Sequence, residues 1–314
     1  MTSGDRSRKL RLRRLQPGDR VALVAPASSF PQEEVAAGVA ELSRLGLEAV
    51  YDDSIFDRDR FVAGSVETRV RAIHAAWADP SIAALIAMRG GYGSAQLLPR
   101  LDPDLLRSGR KALIGYSDIT ALLTLYQRHG LTAIHGPMID RRLSKGPGAY
   151  DEDSFRRVLM QAEPAGELKP DQLETLHQGR ATGTLAGGTL TQLMASMGTP
   201  WAFEPPAGGL LFLEDIGERP YRIHRLLTQA AQAGMFVNVR GIVFGEFPNC
   251  DEPGGDPAIK DVLREFFADF RGPVLFNFPS GHTRGATWTL PFGVEAEVVS
   301  GPSPSIRILE AAVE

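Results

Sequence analysis

Gly115-Tyr116-Ser117-Asp118 joins an apolar run of strand length to a helical stretch beginning Ile119-Thr-Ala-Leu-Leu123. This is the local pattern of a nucleophile elbow, in which a serine hydroxyl sits on a strained turn above a helix N-terminus. The amide after the serine would then face a developing oxyanion. The same residues also describe a plain helix N-cap, and the hydrolase motif's final glycine is replaced by Ile119. At the end of another apolar run, Leu211-Phe-Leu-Glu214-Asp215, two carboxylates can serve as an acid or as caps for the helix from Pro220. Neighbouring strand residues point to opposite faces, so only one of the two can serve a given site. His282 lies in the polar, glycine-flanked loop Phe278-Pro-Ser-Gly-His-Thr-Arg-Gly285, with no helix or strand face to fill, which suits a base. His135 also follows a strand and is its nearest rival; His74 and His129 belong to helices, and His177 and His224 suit solvated positions. Arg89-Gly90-Gly91-Tyr92-Gly93 follows a further strand, where glycines let backbone amides turn toward an anion or oxyanion. It matches neither a dinucleotide nor a Walker phosphate motif, and a simple tight turn reads the same way.

Several other chemistries lack their residues. No HExxH or HxxE arrangement supports a metal site, and a single cysteine, Cys250, excludes CxxC patterns and an intrachain disulfide. Cys250 has no adjacent histidine and reads as packing. Five lysines leave few partners for a Ser-Lys dyad.

The elements that must carry these loops alternate between strand and helix. Strands are expected at Val21 to Ala25, Leu47 to Tyr51, Ile82 to Met88, Lys111 to Gly115 and Leu131 to His135, with helices between them, the signature of a parallel sheet. Ligands of such sheets bind beyond the C-terminal strand ends, where the candidates above lie. After residue 140 the text is broken by proline and glycine up to about residue 180, which reads as a linker around one short helix. Strands then recur at Thr182 to Leu185, Gly209 to Glu214, Gly241 to Phe244 and Val274 to Phe278, with Gly187-Gly188 read as a turn. The expected division is a basic arm over 1–19, an α/β domain over 20–140, the linker over 141–180, and a second α/β domain over 181–314.

Length and composition agree with two domains: 314 residues, 43% hydrophobic, 23% charged, formal net charge −4. The first fourteen residues carry Arg6, Arg8, Lys9, Arg11, Arg13 and Arg14 against Asp5, yet no second basic cluster argues for nucleic acid, and the arm reads as solvated. The arginines interrupt any signal-peptide core, and the apolar runs fall short of the ~18 residues of a spanning helix, so neither export nor a membrane is expected.

Seven blocks, Val24-Ala-Pro-Ala-Ser28, Met88-Arg-Gly-Gly-Tyr-Gly93, Ile114-Gly-Tyr-Ser-Asp118, His135-Gly-Pro137, Gly187-Gly-Thr-Leu190, Phe212-Leu-Glu-Asp215 and Ser280-Gly-His282, occur in one order over residues 20 to 300. Jointly they resemble the LD-carboxypeptidase family of serine peptidases, which includes the microcin C self-immunity hydrolases. The resemblance implies a Rossmann- or flavodoxin-like parallel-sheet domain followed by an α/β domain of swivelling type. It places a nucleophile on Ser117, an acid on Glu214 and a base on His282, with oxyanion amides from Asp118 and from Gly90 or Gly91. No cofactor is implied. It further implies cleavage between a diamino acid, meso-diaminopimelate or lysine, and the terminal D-alanine of murein tetrapeptides, in the cytoplasm, during wall recycling, by a homodimer. A terminal carboxylate needs a cation, and Arg89, Arg219 and Arg284 adjoin the motifs. Arg89, beside Tyr92, is favoured for that contact, with pairing to nearby acids the other role open to it. A peptidyl or aminoacyl nucleotide is the alternative substrate, for which Trp201 or Trp288 would have to stack a base. A two-lobed binding protein without catalysis also fits two domains and a hinge, but gives no reason for Ser117, Glu214 and His282 to end three strands.

Overall fold

The computed structural model describes residues 10–314. Five parallel strands, β1 (Arg20–Val24), β2 (Glu48–Val50), β3 (Ile82–Ala87), β4 (Ala112–Gly115) and β5 (Ala133–His135), open the fold in the order 5-4-3-1-2. Helices α1 (Glu33–Arg44), α2 (Val66–Ala78), α3 (Pro103–Gly109) and α4 (Thr120–Arg128) make the crossovers. Every residue of β3 is buried, as expected of a central parallel strand covered on both faces. Helix α4 buries Leu122, Leu123, Leu125 and Tyr126, an apolar face at helical spacing that lays the helix against the sheet.

The remainder, with α5 (Glu152–Leu159) leading into it, builds an eight-stranded mixed sheet. In chain order its strands are β6 (Gly166–Leu168), β7 (Glu174–His177), β8 (Gly179–Thr189), β9 (Leu210–Glu214), β10 (Gly241–Phe244) and β11 (Val274–Phe276). Strand β12 (Leu290–Phe292) leaves this sheet and pairs antiparallel with β5, and β13 (Glu295–Ser300) and β14 (Ser305–Ile308) return to it. The sheet order is 6-14-13-8-9-10-11-7, with α6 (Leu190–Ala195), α7 (Pro220–Gln232) and α8 (Ile259–Phe266) packed on it. The two-domain α/β expectation therefore holds, with the first sheet closed by a strand from the second half.

Strand β9 divides the two cores. Leu210 and Phe212 join the cluster that continues into the first domain, while Leu211 and Leu213 face the cluster under α7 and α8. The same alternation turns Glu214 toward the first domain, which is how a second-domain acid comes to face a first-domain loop.

Three expectations differ from the structure. Residues 1–9 of the expected arm lie outside the described residues, but 10–19 pack onto the fold: Leu12 and Leu15 are buried, and Leu10 and Leu12 bridge Leu131 and Val313. The leucines between the arginines drive this, since burying each contributes roughly 2 kcal/mol. Residues 141–180, expected as a linker, hold α5 and two strands that edge the larger sheet. Gly187 and Gly188, expected as a turn, lie inside β8, where a Cβ on Gly187 would stand 1.8 Å from the Phe212 carbonyl oxygen and one on Gly188 2.6 Å from Thr120. The glycines serve close backbone approach. Among the described residues no helix is long and apolar enough to cross a membrane.

Candidate active site

Ser117 sits where β4 ends, with φ of +64°, in the left-handed region that a non-glycine residue seldom occupies. An N-cap takes extended backbone and accepts an amide; here the extended residue is Tyr116, and no side chain caps the short 3-10 turn Ser117–Ile119. The turn's first amides have no intrahelical acceptor and remain available. Gly90 presses against this point: a Cβ there would stand 2.8 Å from Ser117 Cβ, 3.1 Å from its Oγ and 3.4 Å from the Asp118 nitrogen. The glycine loop and the elbow therefore form one surface. Asp118 is buried and binds them together, its Oδ2 accepting the Ser94 amide at 2.8 Å while Ser94 Oγ donates to its carbonyl. From behind, buried Arg69 donates to the carbonyls of Gly93 and Pro26, both at 2.9 Å, and Ser28 Oγ accepts the Tyr92 amide at 3.1 Å.

Glu214 is fully buried and ends β9. Its Oε2 accepts His282 Nδ1 at 2.7 Å and the His282 amide at 3.0 Å, and Thr189 Oγ1 donates to its Oε1. Burial would raise its pKa, but His282, His135 and the Thr189 hydroxyl outweigh that and hold it down to about 2. For His282 burial acts in the opposite sense, yet the Glu214 charge and hydrogen bond win and raise its pKa. An ionised carboxylate only accepts, so Nδ1 carries the proton toward Glu214 and Nε2 is left to act as a base. Space for this contact comes from glycines: a Cβ on Gly281, at φ +82°, would stand 2.8 Å from Glu214 Cδ, and one on Gly245 2.6 Å from Glu214 Cβ.

Asp215 does not cap the helix from Pro220, the other role expected of the pair, since no side chain caps α7. Its oxygens accept instead the amide of Thr191, in the first turn of α6, at 2.8 Å and that of Ile216 at 2.9 Å. Burial and the Glu214 charge push its carboxyl up to about 7, against those amides. His135 is fully buried among Tyr116, Phe212 and Phe292, and burial takes its pKa down to about 4. It is a neutral core histidine whose Nδ1 meets Ser280 Oγ at 2.9 Å, behind the loop that carries His282.

The halves of the site meet through residues outside the candidate triad. Arg142, in the stretch read as linker, donates to the carbonyls of Gly281, Thr283 and Gly285 and reaches Tyr116 Oη at 3.3 Å. It ties the His282 loop to the residue before Ser117. The Tyr116 ring stands edge-on to the His282 ring, centroids 5.1 Å apart. Thr120 Oγ1 accepts the Thr189 amide at 3.2 Å, docking the start of α4 beside the hydroxyl that steadies Glu214. Thr189 was visible inside the block Gly187-Gly-Thr-Leu190; Arg142 gave no sequence signal. Arg89 has the acid pairing, Nε 3.2 Å from Asp140, and also donates to the Ser29 carbonyl. Tyr92 is half exposed, edge-on to Phe61. Trp288 packs against Phe278 and Trp201 against the main core. Cys250 is buried, and burial pushes its thiol up to about 12. Among the described residues no three potential metal ligands cluster.

Fold and relatives place the chain among the serine carboxypeptidases. Residues 21–136 match the LD-carboxypeptidase N-terminal domain and residues 182–298 the LD-carboxypeptidase C-terminal domain, so the chain belongs to the LD-carboxypeptidase family. It is 35% identical to the murein tetrapeptide carboxypeptidase of Pseudomonas aeruginosa over 90% of this chain and 94% of that protein. The crystal structure of muramoyltetrapeptide carboxypeptidase from Oxalobacter formigenes superposes with a TM-score of 0.82 at 30% identity, over 93% of this chain and 99% of that one. The structure of MccF in complex with glutamyl sulfamoyl guanosine superposes with a TM-score of 0.89 at 25% identity, over 97% of this chain and 100% of that one.

Proposed function

We propose that this enzyme cleaves the bond between the diamino acid and the terminal D-alanine of murein tetrapeptides, with Ser117 as nucleophile, His282 as base and Glu214 as its orienting acid. The observation that carries the assignment is the 2.7 Å contact between His282 Nδ1 and a fully buried Glu214. His282 Nε2 takes the proton from Ser117 Oγ as that oxygen attacks the scissile carbonyl. The tetrahedral oxyanion is held by the Asp118 amide and one amide of the Gly90–Gly91 segment, each worth about 3 kcal/mol in comparable enzymes. His282 then returns the proton to the D-alanine amine, the acyl-enzyme forms, and water repeats the sequence to free the serine. Glu214 fixes the imidazole tautomer and stabilises its charged form throughout.

The name of the Pseudomonas relative supports the murein substrate. A nucleotide substrate is the second reading, supported by the likeness to MccF. Against it, Trp288 and Trp201 are both taken up in packing. The same proposal sets the enzyme in cytoplasmic wall recycling as a homodimer; one unpaired, buried cysteine is the support for a reducing compartment. One purified sample offered the tetrapeptide and an aminoacyl sulfamoyl nucleotide separates the substrates. D-Alanine release with the nucleotide untouched is expected; the reverse selectivity would replace the murein substrate with the nucleotide one.

A further inference from the structure

His282 opens onto a cleft of about 380 Å³ that is also lined by Tyr116, Ile216, Arg141, Arg142 and Arg284. None of its lining residues is acidic, in a chain whose net charge is −4. Chemistry requires an anion near this place. The amine to which His282 passes its proton and the carboxylate a carboxypeptidase must recognise belong to one amino acid, separated by a single carbon. Whatever binds that carboxylate must therefore lie within one residue's reach of His282.

The three arginines of the cleft are not equivalent. Arg142 spends its donors on four carbonyls and the Tyr116 hydroxyl, and holds the loop. Arg284 is fixed by its backbone, the amide donating to Glu246 Oε2 at 2.8 Å, but its guanidinium is 60% exposed and stands 3.8 Å from the same carboxylate, beyond hydrogen-bond range. Arg141 repeats the arrangement from the other domain. Its amide donates to Glu34 Oε2 at 2.7 Å, its backbone is left-handed at φ +62°, and its 76% exposed head group lies 3.7 Å from Asp140. Both residues thus have an anchored backbone and a head group with unspent donors facing the cleft. By contrast Arg89 is engaged by Asp140 and the Ser29 carbonyl, and Arg219 by Glu252.

We infer that Arg141 and Arg284 together bind the free C-terminal carboxylate of the peptide, one from each domain, and so determine that the enzyme removes a terminal residue. This rests on the carboxypeptidase reading above. Planar guanidinium groups present paired donors that match a carboxylate.

Binding tests this independently of turnover. Ser117→Ala protein is titrated calorimetrically with L-Ala-γ-D-Glu-meso-diaminopimelate-D-Ala and with the same peptide amidated at its C-terminus. The free acid should bind about 10- to 100-fold more tightly, the span expected for charged hydrogen bonds. Adding Arg284→Gln or Arg141→Gln should close most of that gap, Arg284→Lys should restore part of it, and Arg89→Gln should leave it. Equal affinity for acid and amide, or a gap that survives both Gln substitutions, overturns the inference. Wild-type enzyme assayed alongside separates the two levels: a full gap without D-alanine release contradicts the carboxypeptidase reading alone, whereas release without a gap contradicts the arginine pair alone.

Discussion

His282 Nδ1 lies 2.7 Å from Glu214 Oε2, and the same oxygen accepts the His282 backbone amide at 3.0 Å. One carboxylate oxygen thus sets both the ring and the loop that carries it. The acid ends a strand of the second sheet, and Thr189 at the end of the neighbouring strand holds its other oxygen.

Because the Glu214 charge raises the His282 pKa against burial, the free base required for attack prevails only above the ordinary histidine value of 6.5. The acid limb of kcat/KM is expected above that pH. In Glu214→Gln the limb should move to lower pH and the plateau should fall by roughly 10²- to 10⁴-fold, the range seen when a triad loses its carboxylate. A pH profile of both proteins checks this, and an unmoved limb would contradict the pairing.

The pair also links stability to pH. Glu214, held down to about 2 from 4.5, contributes stability above 4.5 that is lost as pH falls toward 2. His282, raised above 6.5, contributes stability below 6.5 that is lost as pH climbs through its raised value. Their joint contribution is therefore largest between 4.5 and 6.5. Urea midpoints of the wild type and His282→Gln at about pH 3, 5.5 and 9 should differ most at the middle value. A difference that ignores pH would be incompatible with this coupling.

Gly90→Ala places a methyl 2.8 Å from Ser117 Cβ and 3.4 Å from the Asp118 nitrogen, where the oxyanion is proposed to sit. We expect kcat to drop by about 10²- to 10³-fold, the cost of losing one oxyanion donor. KM should change little, and stability should fall only by the ~1–3 kcal/mol that overpacking costs, since the loop remains tied by Arg69 and Asp118. Steady-state kinetics with a melting curve provide the measurement. Wild-type kcat in this variant would remove the glycine loop from the catalytic surface.

Arg142→Met keeps most of the side chain's volume and removes its hydrogen bonds to Tyr116 and to the Gly281, Thr283 and Gly285 carbonyls. The loop should loosen, with kcat reduced about 10-fold or more by misplacement of the base, and the acid limb should move to higher pH, because the Arg142 charge that holds the His282 pKa down is gone. Arg142→Lys should recover part of both. Loss of stability with an unshifted pH profile would make Arg142 a purely structural tie.

Much of this site was legible in the sequence because its residues terminate strongly apolar strands, and such ends are where parallel sheets expose side chains. The choice between an elbow and an N-cap at Ser117 was not, since it depends on a backbone angle that the letters do not encode. Strand periodicity could say that Glu214 and Asp215 part company, but only the tertiary fold shows which face meets the first domain. Arg142 and the pairing of β12 with β5 escaped for a related reason. Each acts across more than a hundred residues of chain, Arg142 through carbonyls at 281 to 285, and no local pattern announces either contact. Helix α8 and strands β6, β7 and β14 were missed as short segments among proline and glycine or charged residues. Leu12 and Leu15 were hidden by the charges around them.

The most direct test of the central claim is D-alanine release from the murein tetrapeptide, followed by mass, for wild type and Ser117→Ala matched for folding by their melting curves. The wild type should release D-alanine and leave the tripeptide, while Ser117→Ala should fall by about 10³-fold or more, leaving only what binding and the oxyanion amides contribute without a nucleophile. A well-folded Ser117→Ala protein that retains wild-type release would contradict the account.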